Sequence, residues 1–184
     1  RLHEELTKSF IDKRASILAR GLKQDAIFDT KIINNKKVII DDQFIGELKG
    51  LKLELDLKAG TLDTDIKSLR KAARQSIGPE FQKRIKKIID SKLIELKEDF
   101  KIYWEEFPIA KLLPGKDYLK PEFSLIVDEI IEIEEKKKLQ FFLENWIDNK
   151  INLILKSLIN LKNSKENKSN IRALSYQLYE NNGV

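Results

Sequence analysis

The 184-residue chain contains no cysteine and no methionine, a single histidine, seven glycines and four prolines. Without cysteine there is no disulfide framework and no thiolate metal site. The lone histidine, His3, has no second histidine or cysteine with which to share a metal, and no serine–histidine pair is argued from it. No apolar run approaches the roughly 18 residues of a membrane-spanning helix, and no signal-peptide pattern opens the chain. A cytoplasmic protein without membrane contact is therefore expected. With no initiator methionine, the chain is expected to be a piece of something longer. The phosphate-cradling pattern G-x-x-x-x-G-K-[ST] is also missing, so no nucleotide-hydrolysing loop is expected here.

What is present is charge and pattern. Charged residues make up 35% and hydrophobic residues 41%, the balance of a globular domain with a heavily charged surface and enough apolar residues for a core. The formal net charge of +5 is unevenly spread. Between Lys67 and Lys87 lie eight basic residues (Lys67, Arg70, Lys71, Arg74, Lys83, Arg84, Lys86 and Lys87) and one acid, Glu80. The first four follow i, i+3, i+4, i+7 spacing and so share one flank of a helix. A basic helical flank suits backbone phosphates, which need no base-reading geometry.

The stretch "VIIDDQFIGELKG" is echoed by "IYWEEFPIAKLLP". Val38 answers Ile102, Asp41-Asp42 answer Glu105-Glu106, Ile45 answers Ile109 and Leu48 answers Leu112, each pair 64 positions apart. Around these stretches the β-branched runs flank Asn34-Asn35, Asp41-Asp42 and Glu98-Asp99 as turns, and Leu51, Leu53 and Leu55 alternate with Lys52 and Glu54. Three or four strands are expected over residues 31–56, then a helix to about Ile77, a stop at Gly78-Pro79, and a second helix with Phe81, Ile85, Ile88 and Ile89 inward. The pattern repeats: strands, an insert carrying Gly115 and Pro121, then helices over about 129–142 and 144–161.

The expected fold is thus α+β, with two tandem units of β-meander followed by two helices, preceded and followed by a helix. Its parts are a leading helix within 1–25 (apolar at Leu2, Leu6, Phe10, Ile17 and Leu18), a basic repeat over 26–91, a second repeat over 92–161, and a polar loop with a closing helix over 162–184. Gly46 and Gly50 are expected to permit a bulge or tight bend, with Ala110 and Pro114 at the equivalent places.

The second copy starts its helical part with acids instead: Asp128, Glu129, Glu132, Glu134 and Glu135. Asp128-Glu129 are expected to cap a helix N-terminus, where the dipole favours carboxylates. Glu132 and Glu135 are expected on a solvated face rather than around a cation. Tyr103 and Trp104 fall on opposite faces of a strand, so at least one belongs in the core and the other offers a stacking surface. No nucleophile, base and cradle converge anywhere, and no catalytic residue or metal ligand is assigned.

Five stretches in order, "RLHEELTKSFIDKR", "FIGELKGLKLELD", "KAARQSIGPEF", "IYWEEFPIAKLLPG" and "IRALSYQLYENNGV", resemble the C-terminal accessory region of bacterial relatives of the mitochondrial degradosome RNA helicase, a superfamily II ATP-dependent enzyme. The likeness covers nearly the whole chain and rests on residues such as Phe10, Arg14, Gly46, Leu48, Gly50, Pro79, Trp104, Gly115 and Trp146. It departs from the family at Leu51, Lys111 and Ala173, where an aromatic, an arginine and a glycine are usual. The resemblance implies that ATP and Mg are bound only by motor domains N-terminal to Arg1, that this part is not itself an enzyme, and that it needs no cofactor. It further implies RNA as partner and the motor domains of the same chain as neighbours, and the charge of the basic stretch makes Lys67, Arg70, Lys71, Arg74, Lys83, Arg84 and Lys87 the expected backbone contacts. The other expectation is a protein-interaction scaffold, bracing the motor or docking a partner through the acidic stretch 129–135 or apolar end surfaces.

Overall fold

The computed structural model describes residues 13–24, 27–57, 62–117 and 120–156, and residues 160, 173 and 177 singly. The expected helical residues 2–12, the polar loop and all but isolated positions of the closing helix lie outside this range. The described residues form an α+β structure: helix α1 (Lys13–Lys23), strands β1 (Thr30–Ile33), β2 (Lys37–Ile40), β3 (Gln43–Lys49) and β4 (Lys52–Leu55), helix α2 (Asp63–Ser91), strands β5 (Ile94–Leu96), β6 (Lys101–Trp104), β7 (Phe107–Asp117) and β8 (Lys120–Leu125), and helix α3 (Ile133–Ile154). Each set of four strands is an antiparallel meander in sequential order.

The two meanders share one register. Thr30 pairs with Ile40 and Ile32 with Val38 in the first sheet; Ile94 pairs with Trp104 and Leu96 with Ile102 in the second, 64 positions on. In each, the ladder slips by one residue at the same point, after Val38 in one and after Ile102 in the other. The extra residue is Ile45 in the first sheet and Ile109 in the second, and both side chains are fully buried. A bulge re-aims the strand and increases its twist, and here it turns an isoleucine into the core in both copies.

Past the bulge the spacing lengthens to 70: Leu48 pairs with Leu53, and Leu112 with Phe123. The six additional residues lie between Leu113 and Glu122, where 114–121 replace the two-residue turn Gly50-Leu51. The expected insert is therefore an extension of the β7–β8 hairpin, with Pro121 within β8. The helices keep the same spacing. Leu69, Ala73 and Ile77 of α2 are buried, as are Leu139, Leu143 and Ile147 of α3.

The helices differ from expectation in one respect. Each copy has one long helix rather than two: α2 runs 29 residues through Gly78-Pro79, and α3 runs 22 residues through 143. Proline in a helix interior costs about 3 kcal/mol, but Ile77 and Phe81 are fully buried on either side of it. Burying such a side chain contributes about 1.5–3 kcal/mol, so the two together outweigh the break. In α3 no glycine or proline interrupts the stripe, and Leu143 sits in its middle.

One hydrophobic core runs through both copies, from Ala15 and Leu18 of α1 to Ile102, Trp104, Leu139 and Leu143. Two arginines tie its edges. Arg84, on α2, donates to the Asn35 carbonyl (2.5 Å) in the β1–β2 turn and to the Gly50 carbonyl (2.8 Å) in the β3–β4 turn, and its Nε pairs with Glu80 (2.9 Å). Arg14, on α1, donates to the main-chain carbonyls of Phe44 (2.8 Å) and Asp56 (2.7 Å) and pairs with the Asp56 carboxylate (3.1 Å). Gly50 has φ +58°, and a Cβ there would lie 2.7 Å from Phe107 of the second copy. At Gly46, beside the bulge, a Cβ would lie 2.0 Å from the Glu54 carbonyl oxygen.

Candidate nucleic-acid interface

The basic stretch 67–87 does not form one surface. At about 100° per residue, Lys67, Arg70, Lys71 and Arg74 fall within one narrow sector of α2, whereas Lys83, sixteen residues beyond Lys67, has turned by roughly 160°. The first four line a groove of about 730 Å³ between α2 and the outer side of β4, closed at its far side by residues 127–130. All four are exposed, and none forms an ion pair with a described residue. Lys67 and Arg74 are separated by seven residues, about 10 Å along the axis. Lys52 of β4 joins them from the opposite wall.

The other four basic positions stand apart from this groove. Lys83 and Lys86 look across a separate cleft at Glu135 and Lys138 of α3. Lys87 pairs with Glu105 (3.1 Å) and lies over the ring of Trp104 (5.3 Å). Arg84 is the clear correction: its residue is only 6% exposed and its guanidinium is committed to Glu80, Asn35 and Gly50. A charge count along the sequence does not separate a cation facing solvent from one folded under two turns. Lys52 was missed for the reverse reason, since it lies on a strand far from the cluster in sequence.

Asp128 is also corrected. It does not cap α3, which starts at Ile133 after Glu132. Its side chain accepts from Leu53 N–H (2.9 Å) and Ile130 N–H (3.0 Å), while its own N–H donates to the Leu51 carbonyl (2.8 Å). It thereby staples the second copy to the edge of β4. The acidic stretch 129–135 is a turn followed by the first residues of α3, with Glu135 paired to Lys138. Glu132 is exposed, and no group of three or more potential metal ligands exists among the described residues. None of the described helices is long and apolar enough to cross a membrane.

The second copy has the corresponding groove, between β8 and α3, and its lining is of the other sign. Gln140 and Glu144 stand where α2 has Arg70 and Arg74, joined by Glu122 and Asp148. Duplicated scaffolds thus carry a basic groove and an acidic one. In the second sheet Trp104 is buried on the core face and Tyr103 is half-buried on the other, as alternation requires. The Tyr103 hydroxyl donates to Asp99 (3.0 Å), Lys97 lies 4.3 Å from its ring, and Lys101 pairs with Asp99 (3.0 Å). The hydrogen bond from Lys101 holds the Asp99 carboxyl below its usual range, and the bond to Asp99 raises the Tyr103 phenol.

No protein-family model, curated protein or solved structure matches this chain. The functional reading stands on the groove and on the resemblance of the five sequence stretches.

Proposed function

We propose that the chain is a non-catalytic accessory module of an ATP-dependent RNA helicase, and that it contacts the RNA backbone through Lys67, Arg70, Lys71 and Arg74. One observation carries this reading: four exposed cations, none paired with a carboxylate among the described residues, line one wall of a groove. Exposed cations at this spacing release counterions from a polyanion and bind it without regard to sequence. Lys52 adds a fifth positive charge, whereas Arg84 is assigned to the scaffold. ATP hydrolysis and its Mg belong, on this reading, to motor domains outside this chain, and the module holds RNA beside them in the cytoplasm of a bacterium. The test is binding of a fluorescein-labelled RNA by anisotropy, with Arg70→Glu/Arg74→Glu as the variant. Loss of binding in a variant that melts at the wild-type temperature supports the reading. Absence of binding by the wild-type chain at 50 mM salt refutes it.

A further inference from the structure

The basic groove has two unlike walls. The α2 wall carries the four cations; the wall opposite carries Lys52, Glu54, Asp128, Glu129 and the main-chain edge of β4. β4 is the last strand of its sheet, so one of its edges has no neighbouring strand. Asp56 N–H donates to the Ile45 carbonyl (2.8 Å), so residues 52, 54 and 56 turn their main-chain groups toward β3. Antiparallel alternation then sends those of Leu51, Leu53 and Leu55 to the free edge. Asp128 occupies the start of that edge by bonding Leu51 C=O and Leu53 N–H. Beyond it, Leu53 C=O and Leu55 N–H open into the groove with no hydrogen-bond partner among the described residues. An exposed edge of this kind is ordinarily covered or blunted.

We propose that this groove holds a single strand of RNA, its phosphates along α2 and its base edges against β4, where Leu53 C=O, Leu55 N–H and the Glu129 carboxylate meet them. The proposal rests on the RNA reading above and adds the strandedness and orientation of the ligand. A duplex carries phosphates on both sides of its grooves and would press one row against Asp128 and Glu129. A single strand places charge on one side and unpaired base edges on the other, where a carboxylate can accept from an exocyclic amino group. An extended acidic peptide is served less well. Strand addition draws on a run of alternating main-chain groups, and here one acceptor and one donor remain.

The test compares a 12-nucleotide single-stranded RNA with a duplex of the same length at 50 mM salt, reading anisotropy and, by NMR, the exchange rate of the Leu55 amide. The expected result is at least tenfold tighter binding of the single strand, with Leu55 exchange slowed about tenfold by it and unchanged by the duplex. Leu55→Pro removes the donor at an edge position where proline is tolerated and lowers single-strand affinity about fivefold, leaving duplex affinity as it was. Should that variant fail to fold by circular dichroism, the amide exchange of the wild-type chain decides. Equal affinities, or Leu55 exchange unaltered under saturating single strand, overturn this proposal while α2 remains a phosphate site. No binding of either RNA, with a Glu-rich dodecapeptide protecting Leu55 instead, overturns both and assigns the groove to a peptide.

Discussion

Replacing Arg84 with alanine separates the scaffold's cations from the interface's. The side chain is 7% exposed and donates three charge-assisted bonds, of 2.5, 2.8 and 2.9 Å, to Asn35, Gly50 and Glu80. Its removal leaves two turn carbonyls unsatisfied and strands the Glu80 carboxylate, itself only 19% exposed. An unsatisfied buried acceptor costs about 1–3 kcal/mol, and losing one partner of a buried ion pair about 3–5 kcal/mol. These overlap, so a total of about 3–5 kcal/mol is expected, a large share of the roughly 5–15 kcal/mol that holds a domain together. For a chain of this length that is a fall in Tm of about 10 °C. Urea unfolding checks it, with the midpoint falling while the slope stays constant. Arg84→Lys keeps the charge but not the planar fork, and falls between the two. Arg70→Ala and Arg74→Ala stay within about 0.5 kcal/mol, as exposed substitutions do. A loss below about 1 kcal/mol in Arg84→Ala refutes the reasoning. So does a folded Arg84→Ala chain that loses RNA binding as completely as the Arg70/Arg74 variant.

Other substitutions test the remaining steps. Gly78→Ala brings the added Cβ within 4 Å of no residue beyond its chain neighbours, but in the helix that Cβ crowds the ring of Pro79, so the gain of about 1 kcal/mol that helix propensity would give is offset and urea unfolding shows no stabilisation. Asp128→Ala frees Leu53 N–H and Ile130 N–H, lowering stability by about 1–2 kcal/mol and accelerating Leu53 amide exchange; unchanged exchange at Leu53 contradicts the staple. The Asp99 carboxyl titrates by NMR below its ordinary midpoint of about 3.9, because Lys101 hydrogen-bonds its charged form. Its small stabilising contribution is present above that ordinary value and is lost as pH falls through the lower folded one. Lys101→Ala returns the midpoint toward the ordinary value.

The doubled meander was legible because its signals are local. Asn34, Asn35, Asp41, Asp42 and Glu105 all adopt the positive φ that their turn positions demand, and alternation placed Leu53 and Leu55 inward. The 64-residue echo carried over into the ladder register, down to the bulges at Ile45 and Ile109. The helix breaks at Gly78-Pro79 and near 143 were misjudged because local propensity yields to a continuous buried stripe. Ile154 is 73% exposed, since the helix ends there and its last turn leaves the stripe. The site was half legible. Spacing placed Lys67, Arg70, Lys71 and Arg74 on one flank of α2. That Lys83 and Lys87 lie elsewhere follows from helical phase, whereas Arg84's partners lie 34 and 49 residues away at Gly50 and Asn35. The opposite wall of the groove comes from β4 and Asp128, 75 residues apart between Leu53 and Asp128, a contact that no local pattern announces.

The most direct test of the central claim is the affinity of this chain for a short single-stranded RNA between 50 and 200 mM salt. Four phosphate contacts at about −0.7 each give a log–log slope near −3, a fall in affinity of about 60-fold over that range. That slope is expected for the wild-type chain, with loss of binding in Arg70→Glu/Arg74→Glu. A slope near zero, or the same slope in both chains, contradicts that claim.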